Sequence, residues 1–137
     1  MILVDTSVLI DYIKCNSNPK EEIFRTILLQ NIPFGISSYT YQEILQGARD
    51  KNEYDRLKDK FSTHLIYFLP ETKDTYEAAA RMYFELRRGG ITPRSTIDIL
   101  IALTAIEYNL ALLHDDKDFD EMARKFDNLK ILSHIKH

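Results

Sequence analysis

The sequence predicts an α/β sandwich whose central sheet is mostly parallel and flanked by helices. Two observations carry that expectation. Short apolar strand-like segments alternate with helix-like segments along all 137 residues, the pattern of a sheet built from strand–helix–strand units. No repeat, low-complexity tract or Gly/Ser-rich linker interrupts the alternation, and the four glycines are scattered at element ends.

Taken in order, Ile2 to Val4 is a short apolar strand, and a helix follows over about Ser7 to Lys14. Asn16 to Pro19 breaks the chain, and Lys20 to Gln30 reads as a helix with Ile23, Ile27 and Leu28 on its inner face. Phe34 to Ser37 is a second strand. A helix runs from about Tyr39 to Ala48, and a charged helix from Asn52 to His64 carries Tyr54, Leu57 and Phe61 at helical spacing. Leu65 to Leu69 is a third strand, stopped by Pro70. The long amphipathic helix Lys73 to Arg88 ends at Gly89 and Gly90, where a C-terminal glycine cap belongs. Ile97 to Tyr108 is a nearly all-apolar helix, expected to be buried between the sheet and another layer or a partner. Leu110 to Leu113 is a fourth strand, Asp118 to Phe126 a helix, and Leu129 to Leu132 a last short strand.

The length suits one domain over residues 1–137 with a single well-developed core. With 45% hydrophobic and 28% charged residues, the chain falls in the ordinary globular class. Its 21 acidic and 18 basic residues give a formal charge of −3, so phosphate binding has to be local rather than a product of the overall field. The single Cys15 cannot form an intrachain disulfide, which fits a reducing, cytoplasmic setting. Asp5 interrupts the N-terminal apolar run, unlike a signal peptide, and the run from Ile97 to Ile106 is far short of the ~20 residues that span a bilayer.

The acidic residues fall in informative places. Asp5 follows the first strand, Glu43 lies early in the helix after the second strand, Asp98 opens the apolar helix, and Asp116 and Asp118 follow the fourth strand in "LLHDDKDFD". In a parallel sheet all of these positions except Asp98 are forced by connectivity to the carboxyl edge, where ligand sites lie, and Asp98 can reach that edge from its helix start. Each is also a good helix-capping position. Thr40 to Glu43 and Ser95 to Asp98 fit the capping box, and Asp5 and Asp116 fit simple N-caps. Capping alone, however, would select Ser, Thr, Asn or Gly as readily as Asp. Like charges gathered at a buried edge raise one another's pKa unless a cation offsets them. An all-oxygen carboxylate set suits Mg²⁺ or Mn²⁺ rather than Zn²⁺. His114, alone at a strand end, reads as a packing residue rather than a metal ligand.

The segments "LVDTSVLIDY", "SSYTYQEILQG", "STIDILIALTAI" and "LALLHDDKDFDEMA" resemble, in order and over nearly the whole chain, the four acidic motifs of PIN domains, in particular VapC-like toxin ribonucleases. The resemblance implies a PIN-like three-layer sandwich, a Mg²⁺- or Mn²⁺-dependent endoribonuclease, a homodimer, and an antitoxin protein that blocks the site. Carried over by motif, Asp5, Glu43 and Asp98 match the first three acids and Asp116 the fourth. Asp5, Asp98 and Asp116 are the expected metal ligands, with Glu43 and Asp118 as further candidates. Asp115 is an extra acid beside the fourth motif, so the choice among Asp115, Asp116 and Asp118 stays open at this stage. Thr6 and Ser7 match the hydroxyl positions after the first acid, where a hydroxyl either contacts the metal shell or substrate, Thr6 being the substrate-binding candidate, or caps the helix; Asp11 is expected on the exposed face of its helix.

Cleavage of a phosphodiester needs an activated water and stabilisation of the phosphorane, and both can come from cations held by carboxylates. The best local basic groups for gripping RNA are Arg87, Arg88 and Arg94, although arginines at a helix end also answer its dipole; Lys14, Arg49 and Lys117 are weaker candidates. One alternative is a phosphoacceptor domain, disfavoured because the first strand ends in "DTS" rather than in paired acids. The other is a catalytically silent PIN-fold module that binds RNA or protein, disfavoured by the complete acid set.

Overall fold

The computed structural model describes residues 1–93 and 95–135. Five strands, β1 (Ile2–Val4), β2 (Phe34–Ser37), β3 (Leu65–Tyr67), β4 (Ala111–Leu113) and β5 (Lys130–Ile131), form one sheet in the order β3-β2-β1-β4-β5. Every pairing is parallel, so the expectation of a mostly parallel sheet is met in full among the described residues. Leu3 lies opposite Gly35 on one side and Leu112 on the other, which centres β1 in the sheet.

Seven helices connect the strands: α1 (Thr6–Ile13), α2 (Pro19–Leu29), α3 (Ser38–Gln46), α4 (Lys51–Phe61), α5 (Lys73–Arg88), α6 (Thr96–Glu107) and α7 (Lys117–Lys125). Three elements, β1, β2 and α5, keep their sequence-predicted limits, and the others shift by a few residues at their ends. The largest change is at α4, predicted to reach His64 and ending at Phe61, and β3 is a three-residue edge strand where five had been predicted.

Side-chain alternation along the strands builds two cores. Ile2, Val4, Ile36 and Leu113 pack with Val8, Leu9, Phe24, Ile27, Ile44 and Phe61 from α1 to α4. Leu3 and Leu112 point the other way, into Ala79, Met82 and Leu86 of α5, the apolar face of α6, and Phe119 and Met122 of α7. Successive strand residues face opposite layers, so a sheet only a few residues deep feeds both. The near-absence of a polar face on α6 is explained here: Ile99 and Ile101 to Ala105 are buried, and the helix packs against α3, α5 and β4. Among the described residues no helix is long and apolar enough to cross a membrane.

Four helices stop in the same way. Cys15, Asn31, Gly90 and Asn109 take φ values of 57°, 52°, 84° and 53°, and the residue after each donates back into the last turn. These bonds are Asn16 to Asp11, Ile32 to Ile27, Ile91 to Leu86, and Leu110 to Ala105. This is the Schellman closure, which glycine signals most strongly, asparagine more weakly and Cys15 not at all. Asp11 departs from expectation, being half-buried and accepting a hydrogen bond from Asn18 Nδ2 at 2.9 Å.

Gly35 sits on β2 where Tyr67 and Leu65 of β3 leave no room for a side chain. A Cβ at this position would lie 2.5 Å from Tyr67 Cε2 and 3.0 Å from the Leu65 carbonyl oxygen. The Tyr67 ring is hemmed in by the Tyr108 ring, 4.8 Å away, whose hydroxyl is tied to the Phe68 carbonyl. Gly35→Ala is therefore expected to destabilise the protein by roughly 1–3 kcal/mol, the usual cost of overpacking. Chemical denaturation checks this, and an unchanged midpoint would contradict the close approach.

Candidate active site

The site grows from the turn at the end of β1. Asp5 has extended backbone angles and caps α1: its Oδ2 accepts from the Ser7 amide at 3.1 Å and from the Ser7 hydroxyl at 2.7 Å. The Asp5 amide donates to the Leu113 carbonyl at 2.9 Å, stitching the ends of β1 and β4 together. With 4% of its surface exposed, Asp5 keeps Oδ1 buried and without a hydrogen-bond partner among the described residues. A buried carboxylate oxygen left in this way is costly unless something charged or polar reaches it.

Thr6 turns toward α3. Its hydroxyl donates to Glu43 Oε1 at 2.7 Å and lies 3.1 Å from Thr40 Oγ1, which in turn accepts from Ser37 Oγ. The capping-box reading of Thr40 and Glu43 fails here. Ser37, not Thr40, caps α3, accepting from the Thr40 amide at 3.0 Å. Glu43 consequently falls in the second turn, held by Thr6 across the site rather than by its own helix end. The physical reason is that Ser37 closes β2 in extended geometry and is the first residue able to cap.

Asp98 stands in the first turn of α6, whose cap is Ser95, accepting from the Ile97 amide at 3.0 Å. On the other side, the turn from β4 into α7 carries Asp116 as N-cap, its Oδ1 accepting from the Asp118 amide at 3.0 Å. Carboxylate oxygens of Asp98, Asp116 and Asp118 lie within 4.8 Å of one another. Asp115 is exposed, and its backbone amide donates to Ser7 Oγ at 3.0 Å. After burial, the charges that act most on Asp98 are those of Asp5, Asp116, Glu43 and Asp118. The geometry thus groups Asp116 and Asp118 with Asp98 and leaves Asp115 outside.

Electrostatics reports the same crowding. Burial, with Glu43 adding to it against opposing bonds from Ser7 and Thr6, pushes the Asp5 carboxyl up to about 6. Asp98 is pushed up to about 7, by burial first and then by Asp5, Asp116, Glu43 and Asp118. For Asp5 the elevation from 3.8 to about 6 makes ionisation in the folded protein cost on the order of 3 kcal/mol more than in the open chain. A hard divalent cation fits this donor set: the grouped donors are all carboxylate oxygens, and Asp5 Oδ1 is buried without a hydrogen-bond partner among the described residues.

The remaining sequence-predicted residues fall elsewhere. Arg87 and Arg88 are exposed in the last turn of α5, stacked 5.7 Å over the Tyr83 and Phe84 rings, and Arg94 lies outside the described residues. Lys14 borders a groove that leads to Glu43, Arg49 pairs with Glu53 at 2.9 Å, and Lys117 is exposed at the start of α7. His114 is 2% exposed with both ring nitrogens hydrogen-bonded. Sequence reading missed the buried hydroxyls of Ser37 and Thr40; the signal available was a run of hydroxyl residues at the end of a strand.

The sequence matches the PIN domain family over residues 2–125. It is 33% identical over 129 residues to ribonuclease VapC11 of Mycobacterium tuberculosis, covering 90% of this chain and 92% of that protein. Among solved structures it resembles VapBC2 from Rickettsia felis bound to a DNA fragment from its promoter, with a TM-score of 0.71, 20% identity and coverage of 96% and 98% of the two chains. It also resembles VapBC-5 from M. tuberculosis, a member of a family of toxin–antitoxin systems, with a TM-score of 0.64, 18% identity and coverage of 98% of both chains.

Both raised carboxyls make the metal-free fold pH-dependent in one direction. Between 3.8 and about 7 the folded state holds protons that the unfolded chain has released, so stability falls as pH rises through that window. In EDTA, Asp98→Asn is expected to melt a few degrees higher than wild type at pH 7.5, with the difference shrinking toward pH 4. Parallel melting curves across that range would show that Asp98 carries no such burden.

Proposed function

The chain belongs to the PIN domain family, among the VapC ribonucleases, and from that premise we propose that it is the toxin of a toxin–antitoxin pair, a cytoplasmic endoribonuclease that depends on Mg²⁺ or Mn²⁺. One observation carries the cation dependence: a buried carboxylate oxygen, Asp5 Oδ1, left unpaired beside a second raised carboxyl, Asp98.

Asp5, Asp98 and Asp116 would hold the cation, with Asp118 and Glu43 as further candidates. Bound there, it would supply Lewis-acid stabilisation of the phosphorane and lower the pKa of a water. Glu43, with Oε1 fixed by Thr6, offers Oε2 to the proton of the attacking water. Ser7 holds Asp5 by Oδ2 and so keeps Oδ1 directed away from the cap. Attack at phosphorus then leaves a 5′-phosphate and a 3′-hydroxyl, as the resemblance implies.

The antitoxin finds a seat beside this edge. An apolar groove lined by Ile10, Ile13, Ile44 and Leu57 runs to Glu43, so a partner helix or strand lying in it can present a basic side chain to the acids. Pairing of two copies would cover the stripe Tyr76, Ala80 and Phe84, exposed at i, i+4 and i+8 on α5.

Purified chain incubated with total RNA is expected to cut with Mg²⁺ or Mn²⁺ and not in EDTA, and sequencing of new 5′ ends locates the cleavage. Asp5→Asn and Asp98→Asn should bring cutting down to the EDTA level while the fold persists, since Asn keeps the size but not the charge. Asp115→Asn should cut like wild type. Cleavage that survives in folded Asp5→Asn or Asp98→Asn would remove that residue from the site. A wild type inert toward RNA under all these conditions would favour the silent interaction module.

A further inference from the structure

Resting on the reading of the acids as a divalent-cation site, we propose that His114 is a positioning residue that sets Asp116 in place by accepting the Asp116 amide proton on Nδ1. The ring is 2% exposed at the end of β4 and lies 5.1 Å from the Phe119 ring. Its Nδ1 is 3.0 Å from the Asp116 nitrogen, and an amide can only donate, so Nδ1 is unprotonated. The proton therefore sits on Nε2, which is 3.1 Å from Asp120 Oδ1 and donates to it. The two contacts fix one neutral tautomer and one ring orientation.

The turn after β4 is held amide by amide. Ser7 Oγ takes the Asp115 amide, His114 Nδ1 the Asp116 amide, and Asp116 Oδ1 the Asp118 amide. The middle bond governs the other end of the turn, because the Asp116 backbone determines where its carboxylate can reach Asp98. His114 cannot serve as a ligand itself, since both nitrogens are engaged. Its contribution passes through Asp116, as outer-shell groups commonly orient ligands that touch a metal.

The test compares His114→Leu, His114→Asn and His114→Gln in the full chain. Asn is close to Leu in shape and carries its oxygen near the position of Nδ1, whereas Gln reaches toward the position of Nε2. Mn²⁺ binding is measured by titration calorimetry without RNA, with circular dichroism and melting in EDTA as the check on folding. His114→Leu is expected to weaken Mn²⁺ binding about tenfold, the scale of lost outer-shell support, and His114→Asn to stay near wild type. In EDTA, nitrogen-15 spectra of the wild type should show a protonated Nε2 and a bare Nδ1, and the Asp116 amide should exchange faster in His114→Leu than in His114→Asn. If His114→Leu fails to fold, the Gln and Asn pair decides, with Gln expected to be the weaker binder.

Equal Mn²⁺ affinity in wild type, His114→Gln and folded His114→Leu would overturn the positioning role and leave the cation site standing. A protonated Nδ1 in the wild type would overturn it as well. A wild type that takes up no Mn²⁺, matching Asp98→Asn, would instead overturn the cation reading and the inference that rests on it.

Discussion

Carboxylates repel, and gathering Asp5, Asp98, Asp116, Asp118 and Glu43 at one partly buried edge is the constraint around which the local structure is arranged. The cost is visible in Asp98, which reaches about 7 because burial and four neighbouring acids act together. An edge selected for stability alone would place neutral caps at these turns, as Ser37 and Ser95 already show for α3 and α6. The chain retains the charges and surrounds them with donors.

Those donors come in two kinds. Backbone amides at helix starts face Asp5 and Asp116, and hydroxyls of Ser7 and Thr6 face Asp5 and Glu43. Each donor occupies one oxygen of its carboxylate. The fold supplies this economy through topology: β1 is central, the order runs β3-β2-β1-β4-β5, and the turns leaving β1, β2 and β4 all open on the same side. Such a crevice beside a central parallel strand is where open α/β sheets bind ligands.

Much of this could be read from the sequence. Strand–helix alternation anticipated the twelve elements of the described residues, because the strands are short and mostly apolar and each connecting segment has a helical pattern. The acids were legible by position, since a parallel sheet forces strand-end residues to one edge. Asp98 was reached only by allowing a helix start to project there. What stayed hidden depends on tertiary placement. Thr40 and Glu43 match a capping box as letters, yet Ser37 takes the cap, because its extended backbone at the end of β2 precedes Thr40 along the chain. Asn31 and Asn109 close helices as Gly90 does, without the glycine that flags the turn. Which of Asp115, Asp116 and Asp118 join Asp98 depended on a turn pinned by Ser7 and His114, residues that carry no pattern of their own.

Capping and the proposed cation binding would therefore be one arrangement seen at two oxygens. Asp5 spends Oδ2 on the start of α1 and leaves Oδ1 over, while Asp116 spends Oδ1 on the start of α7. The starts of α1, α6 and α7 converge on the cluster, and the positive end of each helix dipole favours the nearby carboxylates by roughly 0.3–1 kcal/mol. That same potential opposes a cation. A site built on helix starts is consequently tolerable when empty and moderate in grip when filled, a balance suited to a small hard ion that retains part of its water shell. The elevated Asp5 and Asp98 show that the dipoles offset only part of the repulsion. The remainder would be the driving force left for the proposed ion, whose binding strength would then depend on the caps as well as on the number of acids.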